Sequence, residues 1–204
     1  MIVMLLSAMM TFSNYPLNPV EQDTVASSNI HFTAGLNGPN GILGSGFDAS
    51  LKYELLLVHP YIVRTAVEIR RSTIINKSYP EGYILATTFA LEGLYYRGTN
   101  RLTGFIGIGM VYVVSSVKQD EDDKLRLLLD DGINGVRIKD TFGYRLIVGA
   151  RFKKSFSLEV AITEIKSDFI YISRISQASF LEESERTRMS NIKVTIGYLL
   201  PFGF

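Results

Sequence analysis

At 204 residues the chain has the length of one domain, enough for a full core or a small closed barrel. A formal charge of +1 excludes nucleic-acid binding by bulk electrostatics, and the lack of cysteine excludes disulfides and thiolate metal sites. Two histidines are too few for an ordinary histidine-built metal centre, and no other composition feature implies a cofactor.

The chain opens on an apolar run, Met1 to Phe12, too short to cross a bilayer as a helix, which takes about 20 residues. It reads as the apolar core of a secretory signal, with the small residues Thr11 and Ser13 near a cleavage point, although no Lys or Arg precedes it. The expected division is therefore a signal segment over 1–13, a lead-in over 14–28 and one β domain over 29–204.

From residue 29 onward apolar and polar positions alternate with a period of two, the mark of strands with one face in an apolar medium. The first segment, 29–37, sets Ile30, Phe32, Ala34 and Leu36 against His31, Thr33 and Gly35. The second, 46–58, sets Phe47, Leu51, Tyr53 and Leu55 against Asp48, Ser50, Lys52 and Glu54. The third, 61–74, opposes Val63, Val67 and Ile69 to Arg64, Glu68 and Arg70, and the fourth, 82–96, opposes Leu85, Phe89 and Leu91 to Ala86, Ala90 and Glu92. The fifth, 101–116, has Ile106, Ile108 and Met110 opposite Gly107 and Gly109, with Phe105, Val111 and Val113 on that second face too. The sixth, 138–153, sets Tyr144, Leu146 and Val148 against Arg145, Gly149 and Arg151, and the seventh, from 156, sets Leu158 and Val160 against Ser157 and Glu159. The eighth is the chain end, where Ile192, Val194, Ile196 and Tyr198 alternate with Lys193, Thr195 and Gly197.

Connections at one end are short: His59-Pro60, Arg97 to Asn100, and Lys153 to Ser155. Those at the other end are longer: 37–45, 75–81, the acidic 117–137 and the polar 168–188, where a helical turn or two over 180–188 competes with loop. The polar faces are mostly Gly, Ala, Ser and Thr punctuated by charges of both signs, unlike the Lys/Glu-rich exterior of a soluble lipid-binding barrel. The apolar faces carry no charge at the strand centres. Aromatics gather at both ends: Tyr61, Tyr95, Tyr96, Phe152, Phe156, Phe202 and Phe204 near the short turns, Phe47, Tyr83, Phe142 and Tyr144 near the long loops. Together these features predict an all-β, eight-stranded antiparallel transmembrane up-and-down barrel with short turns on one side and longer loops on the other.

The final strand carries Thr195, Gly197, Leu200 and Phe202 in a polar–x–Gly–x–x–hydrophobic–x–aromatic pattern, followed by Gly203-Phe204. With the strand count and loop asymmetry over 29–204, the chain resembles the small eight-stranded bacterial outer-membrane barrels of the OmpA, OmpX and OmpW type. The resemblance implies periplasmic termini, long loops outside the cell, a setting of outer-membrane lipid and lipopolysaccharide, and handling by the barrel-assembly machinery through the terminal pattern.

The inward face collects the ionisable residues Asp48, Lys52, Glu54, Arg64, Glu68, Arg70, Glu92, Arg145, Arg151, Glu159 and Lys193, nearly balanced in sign. Buried charges must be paired, so an interlocked network filling the lumen is expected, the alternative being a lined solute path. His31 is the one candidate catalytic base, with Ser50 on the next strand the nearest nucleophile, but the His-x-Ser-Asn signature of barrel deacylases is absent. The run Gln119 to Asp123 with Asp130-Asp131 is oxygen-rich but lacks a calcium-loop spacing, and Glu182 to Arg188 reads as an exposed mixed-charge stretch. The expected role is non-enzymatic, in envelope integrity or contact with an extracellular ligand or host surface through 117–137 and 168–188. A narrow channel for small or hydrophobic solutes comes second and a lipid A-modifying enzyme third.

Overall fold

A computed structural model describes residues 28–38, 43–58, 60–74, 82–99, 101–119, 121, 133–153, 155–174 and 180–202. The expected signal segment and the lead-in up to residue 27 lie outside the described residues, as does Phe204, while Ser28, expected in the lead-in, already belongs to the first strand. Ten strand segments make up the fold: β1 (Ser28–Gly38), β2 (Leu43–Val58), β3 (Tyr61–Ile74), β4 (Gly82–Gly98), β5 (Leu102–Gln119), β6 (Ile133–Ile138), β7 (Thr141–Phe152), β8 (Phe156–Arg174), β9 (Phe180–Arg188) and β10 (Asn191–Phe202).

Eight of them form a ring in the order β10-β1-β2-β3-β4-β5-β7-β8, closed by pairing of β8 with β10. Every pairing is antiparallel. The closing strand meets the first as its alternation predicts, with Ile30 opposite Leu200 and Leu36 opposite Val194. A closed ring is the β solution for crossing lipid, because each backbone donor and acceptor in the hydrocarbon then has a neighbour. Ser28 and Phe202 are register partners at the rim that also carries the short turns. The turn after β4 is made possible by Gly98 at φ 147°, a conformation that side chains disfavour.

The side chains sort by sequence parity. Phe32, Leu51, Val67, Phe89, Ile108 and Ile196 point outward and stay largely exposed, Ile108 at 67% and Ile196 at 66%. Their neighbours His31, Lys52, Arg64, Glu68, Glu92 and Lys193 point inward and are buried. Apolar outside and charged inside is the reverse of a soluble barrel, and it requires a hydrocarbon surround. Aromatic pairs lie at both rims, Tyr61 with Tyr95 (ring centroids 5.6 Å) and Phe156 with Tyr198 (5.2 Å) at the short-turn end, Tyr112 with Phe142 (4.8 Å) at the other. Tyr96, expected in the outer belt, instead points inward, buried and stacked on Phe105 at 5.0 Å. It follows Tyr95 by one residue, so strand parity sends the two to opposite faces.

The expected long loop over 168–188, with its helical turn, is corrected to strand over 168–174 and 180–188. β8 continues past the ring to Arg174, and β9 pairs with it from Lys166 opposite Arg188 to Arg174 opposite Phe180. β6 flanks β8 on its other side, Ile138 opposite Phe169. The expected loop over 117–137 is likewise strand at both ends, β5 reaching Gln119 and β6 starting at Ile133. A three-stranded ribbon, β6-β8-β9, thus extends the barrel wall on the long-loop side. Short breaks at Lys139-Asp140 and Met189-Ser190 separate ribbon from ring.

The outward apolar belt sets a direct expectation. Val67, at the centre of β3, should tolerate Leu, whereas Val67→Arg should cost about 2–4 kcal/mol of barrel stability in denaturant titrations of the bilayer-inserted protein.

Candidate functional site in the barrel lumen

The lumen brings the inward charges of six strands into one connected network. Arg64 on β3 bonds Glu92 on β4, donates through Nη1 to Glu159 Oε2 on β8 at 2.7 Å, and lies 3.7 Å from Glu54 on β2. Lys52 Nζ donates to Glu159 Oε1 at 2.7 Å, so one carboxylate serves two cations. Arg145 on β7 grips Glu68 with both terminal nitrogens at 2.7 Å, while its Nη1 also reaches Glu92 at 3.0 Å. Lys193 on β10 adds a second cation to Glu68, and Arg151 closes the chain on Glu54. Arg64, Lys52, Glu54 and Glu159 have no exposed surface.

Two expected members stand apart. Among the described residues Asp48 comes no nearer a cation than 4.0 Å, to Lys193, and both its oxygens lack hydrogen-bond partners. Arg70, its register partner on β3, has Nε and Nη2 unpartnered and makes no ion pair within 4.0 Å among the described residues. Both are buried on the long-loop side of the network.

Apolar groups fill the space on either side. Ile62, Leu94, Tyr96, Phe105 and Ile147 pack together near the short turns, where the guanidinium of Arg151 lies 4.3 Å from the Tyr96 ring centre. Ile84, Val111, Val113, Ile165, Phe169 and Met189 pack in the half nearer the ribbon. The apolar second face of the fifth sequence segment is thereby explained: Phe105, Val111 and Val113 face other apolar side chains inside the lumen.

His31 makes a contact that was not expected. Its Nε2 lies 2.7 Å from Ser157 Oγ on β8, and its Nδ1 lies 4.0 Å from Glu54 Oε1. Ser50, the expected nucleophile, instead bonds Thr33, Oγ to Oγ1 at 2.5 Å. β8 is not adjacent to β1; β10 lies between them, and the imidazole crosses β10 at Gly197, register partner of both Thr33 and Ser157. A Cβ at Gly197 would collide with His31 Nε2 and with Thr33. The serine, histidine and carboxylate have the residue types of a nucleophilic triad, but Nδ1 has no hydrogen-bond partner. All three side chains are enclosed, with relative exposures of 2% or less.

Of the terminal pattern, Thr195 is buried with its hydroxyl unpartnered, Gly197 admits His31, and Leu200 faces outward. Phe202 ends β10. Among the described residues no three His, Asp or Glu side chains converge as a metal site. Most of the acidic run after Gln119 lies outside the described residues.

Ring, inverted faces and charge-filled lumen define a transmembrane barrel of the small eight-stranded outer-membrane class. No family model and no curated sequence matches the chain. Solved structures do. Outer membrane protein OprG from Pseudomonas aeruginosa superimposes with a TM-score of 0.61 at 12% identity, over 86% of this chain and 97% of that one. Outer membrane protein AlkL, in DMPC lipid bilayers, gives 0.54 at 14% identity, over 94% and 96%. At these identities the shared property is the fold, which is that of a bacterial outer-membrane β-barrel.

Removing one partner from a buried ion network leaves the others uncompensated. Glu159→Ala, which strands Lys52 and Arg64 together, should cost about 3–5 kcal/mol and lower the temperature of the heat-modifiable gel shift. Gly197→Val should also destabilise, by driving His31 off Ser157, and pairing it with His31→Ala should recover part of the loss.

Proposed function

We propose that this protein is a non-conducting, non-enzymatic outer-membrane barrel that contributes to envelope integrity and presents its long-loop face to the outside. The observation that carries this reading is the ion network: nine charged side chains from six strands, linked without a break across the lumen. An ion entering that cross-section must displace desolvated pairs held at 2.5–3.0 Å, and eight strands enclose little room beyond their own side chains. The working surface is then outside the membrane. In the ribbon, Glu182 to Arg186 are all exposed, and the pair Arg137–Glu182 (2.9 Å) ties β6 to β9 across the intervening β8.

A second reading, passage of small apolar solutes, draws support from the apolar lining of the lumen half nearer the ribbon. In this reading the solute leaves above the ion network rather than through it.

Planar-bilayer recording separates the readings. The refolded protein should give no ohmic steps, and steady single-channel conductance would overturn the proposal. Liposomes carrying it should take up apolar solutes no faster than empty liposomes, whereas accelerated uptake without conductance favours the second reading. Expression of the wild type and of Ser157→Ala should leave the same lipid A mass spectrum as cells lacking the protein; a mass change dependent on Ser157 would make it an enzyme. A tag inserted between Arg174 and Phe180 should be accessible to antibody on intact cells.

A further inference from the structure

On the outer wall, where β8 leaves the ring and pairs with β9, three cations converge. Lys166 and Arg188 are direct cross-strand partners, and Arg186 sits two residues from Arg188, opposite Asp168. All three point away from the lumen and are exposed. With Thr187 they line an open groove of about 470 Å³.

The position of the groove is informative. Below it on the same outward face are Leu158, Val160 and Ile162 of β8, Ile192 and Val194 of β10, and Tyr144 of β7 opposite Glu164. The cations are thus the first positive charges on this face beyond the apolar residues of β8 and β10. Two carboxylates share the site. Glu164 accepts from Arg188 Nη2 at 2.6 Å, and Arg188 is further fixed by Nε donating to Ser190 Oγ at 3.0 Å. Asp168 lies farther from the belt and forms no ion pair with Arg186 within 4.0 Å among the described residues. Lys166 and Arg186 therefore retain uncommitted donors on either side of a guanidinium that is already oriented. Just past β6, Lys139 is exposed and donates its backbone N–H to the Asp168 carbonyl, while Arg137 of β6 is held by Glu182.

The geometry points to a lipid-phosphate site: Lys166, Arg186 and Arg188 hold a phosphate of a phosphorylated glycolipid headgroup in the outer leaflet, whose acyl chains lie on the apolar wall below. This rests on the reading of the chain as an outer-membrane barrel. Guanidinium groups suit the site because they offer paired donors to phosphate oxygens, and a lysine adds a mobile charge. The apolar wall supplies a second anchor that a free anion lacks. The ligand class is accordingly an anionic lipid of the outer leaflet, with lipid A as the probe.

The test uses the full chain reconstituted in phosphatidylcholine bilayers doped with lipid A. Flotation and the heat-modifiable gel shift first establish insertion; failure there refutes the outer-membrane reading itself. Lipid A retained per barrel is then measured by native mass spectrometry for the wild type and for Lys166→Gln/Arg186→Gln, which leaves the Arg188–Glu164 pair intact. The inserted double variant should retain at least fivefold less bisphosphorylated lipid A, and fully dephosphorylated lipid A should be retained poorly by both proteins. Millimolar inorganic phosphate should not displace the lipid. Equal retention by wild type and variant, equal retention of the dephosphorylated lipid, or displacement by inorganic phosphate would each overturn the assignment.

Discussion

Arg64 has no exposed surface, and the interior of the barrel depends on how its charge is met. An isolated guanidinium out of water carries a penalty of several kcal/mol even after relaxation. Three carboxylates on three other strands surround it, Glu54, Glu92 and Glu159, and each is shared with another cation. Those cations, Arg151, Arg145 and Lys52, thereby bind β7 and β2 to the same centre, and Glu68 carries the linkage on to Lys193 of β10. Outside the wall lipid rewards apolar groups on every strand alike and says little about which strand goes where. Inside, each charge has a restricted set of acceptable neighbours. The network therefore specifies the cross-section, while the lipid-facing belt specifies the orientation of each strand.

Most of the ring was legible in the sequence because its two faces obey a strict period of two. Ile192 to Tyr198 could be read as a closing strand from that alternation alone, and β1 was its necessary neighbour once a lipid surround was inferred. The ribbon was harder to read. Along β8 the outward positions change from Leu158, Val160 and Ile162 to Glu164, Lys166 and Asp168 where the strand leaves the hydrocarbon. Strand pairing continues, but the alternation that marked the ring is gone: Phe169 to Ile172 are apolar on both faces and Glu182 to Arg188 polar on both, so 168–188 has no period of two to reveal its strands. Tyr96 was misplaced for a simpler reason: aromatic character suggested a membrane interface, whereas parity, counted from Tyr95, puts it inside.

The contact of His31 with Ser157 had no local signal. It joins β1 to β8 across β10, and it exists because Gly197 offers no side chain at the crossing. The glycine of the terminal pattern is therefore a lumen residue. Such a signal becomes visible in sequence only when ring closure and register are known, since His31 and Ser157 are 126 positions apart. The same holds for the departures of Asp48 and Arg70 from the network. They are opposite one another in register, yet their charges face a part of the lumen with fewer counter-groups.

β8 runs for nineteen residues without a break, from the rim with the short turns to the far end of the ribbon. It is flanked on both sides by antiparallel neighbours, β7 and β10 in the ring, β6 and β9 above it, with only the short breaks between ribbon and ring. A tensile force applied to the ribbon from outside the cell would therefore run along the strand axis. It would load the flanking backbone hydrogen bonds together, in shear, instead of peeling them apart one at a time. Mechanical load on the ribbon is delivered straight into the wall of the barrel and spread across five strands.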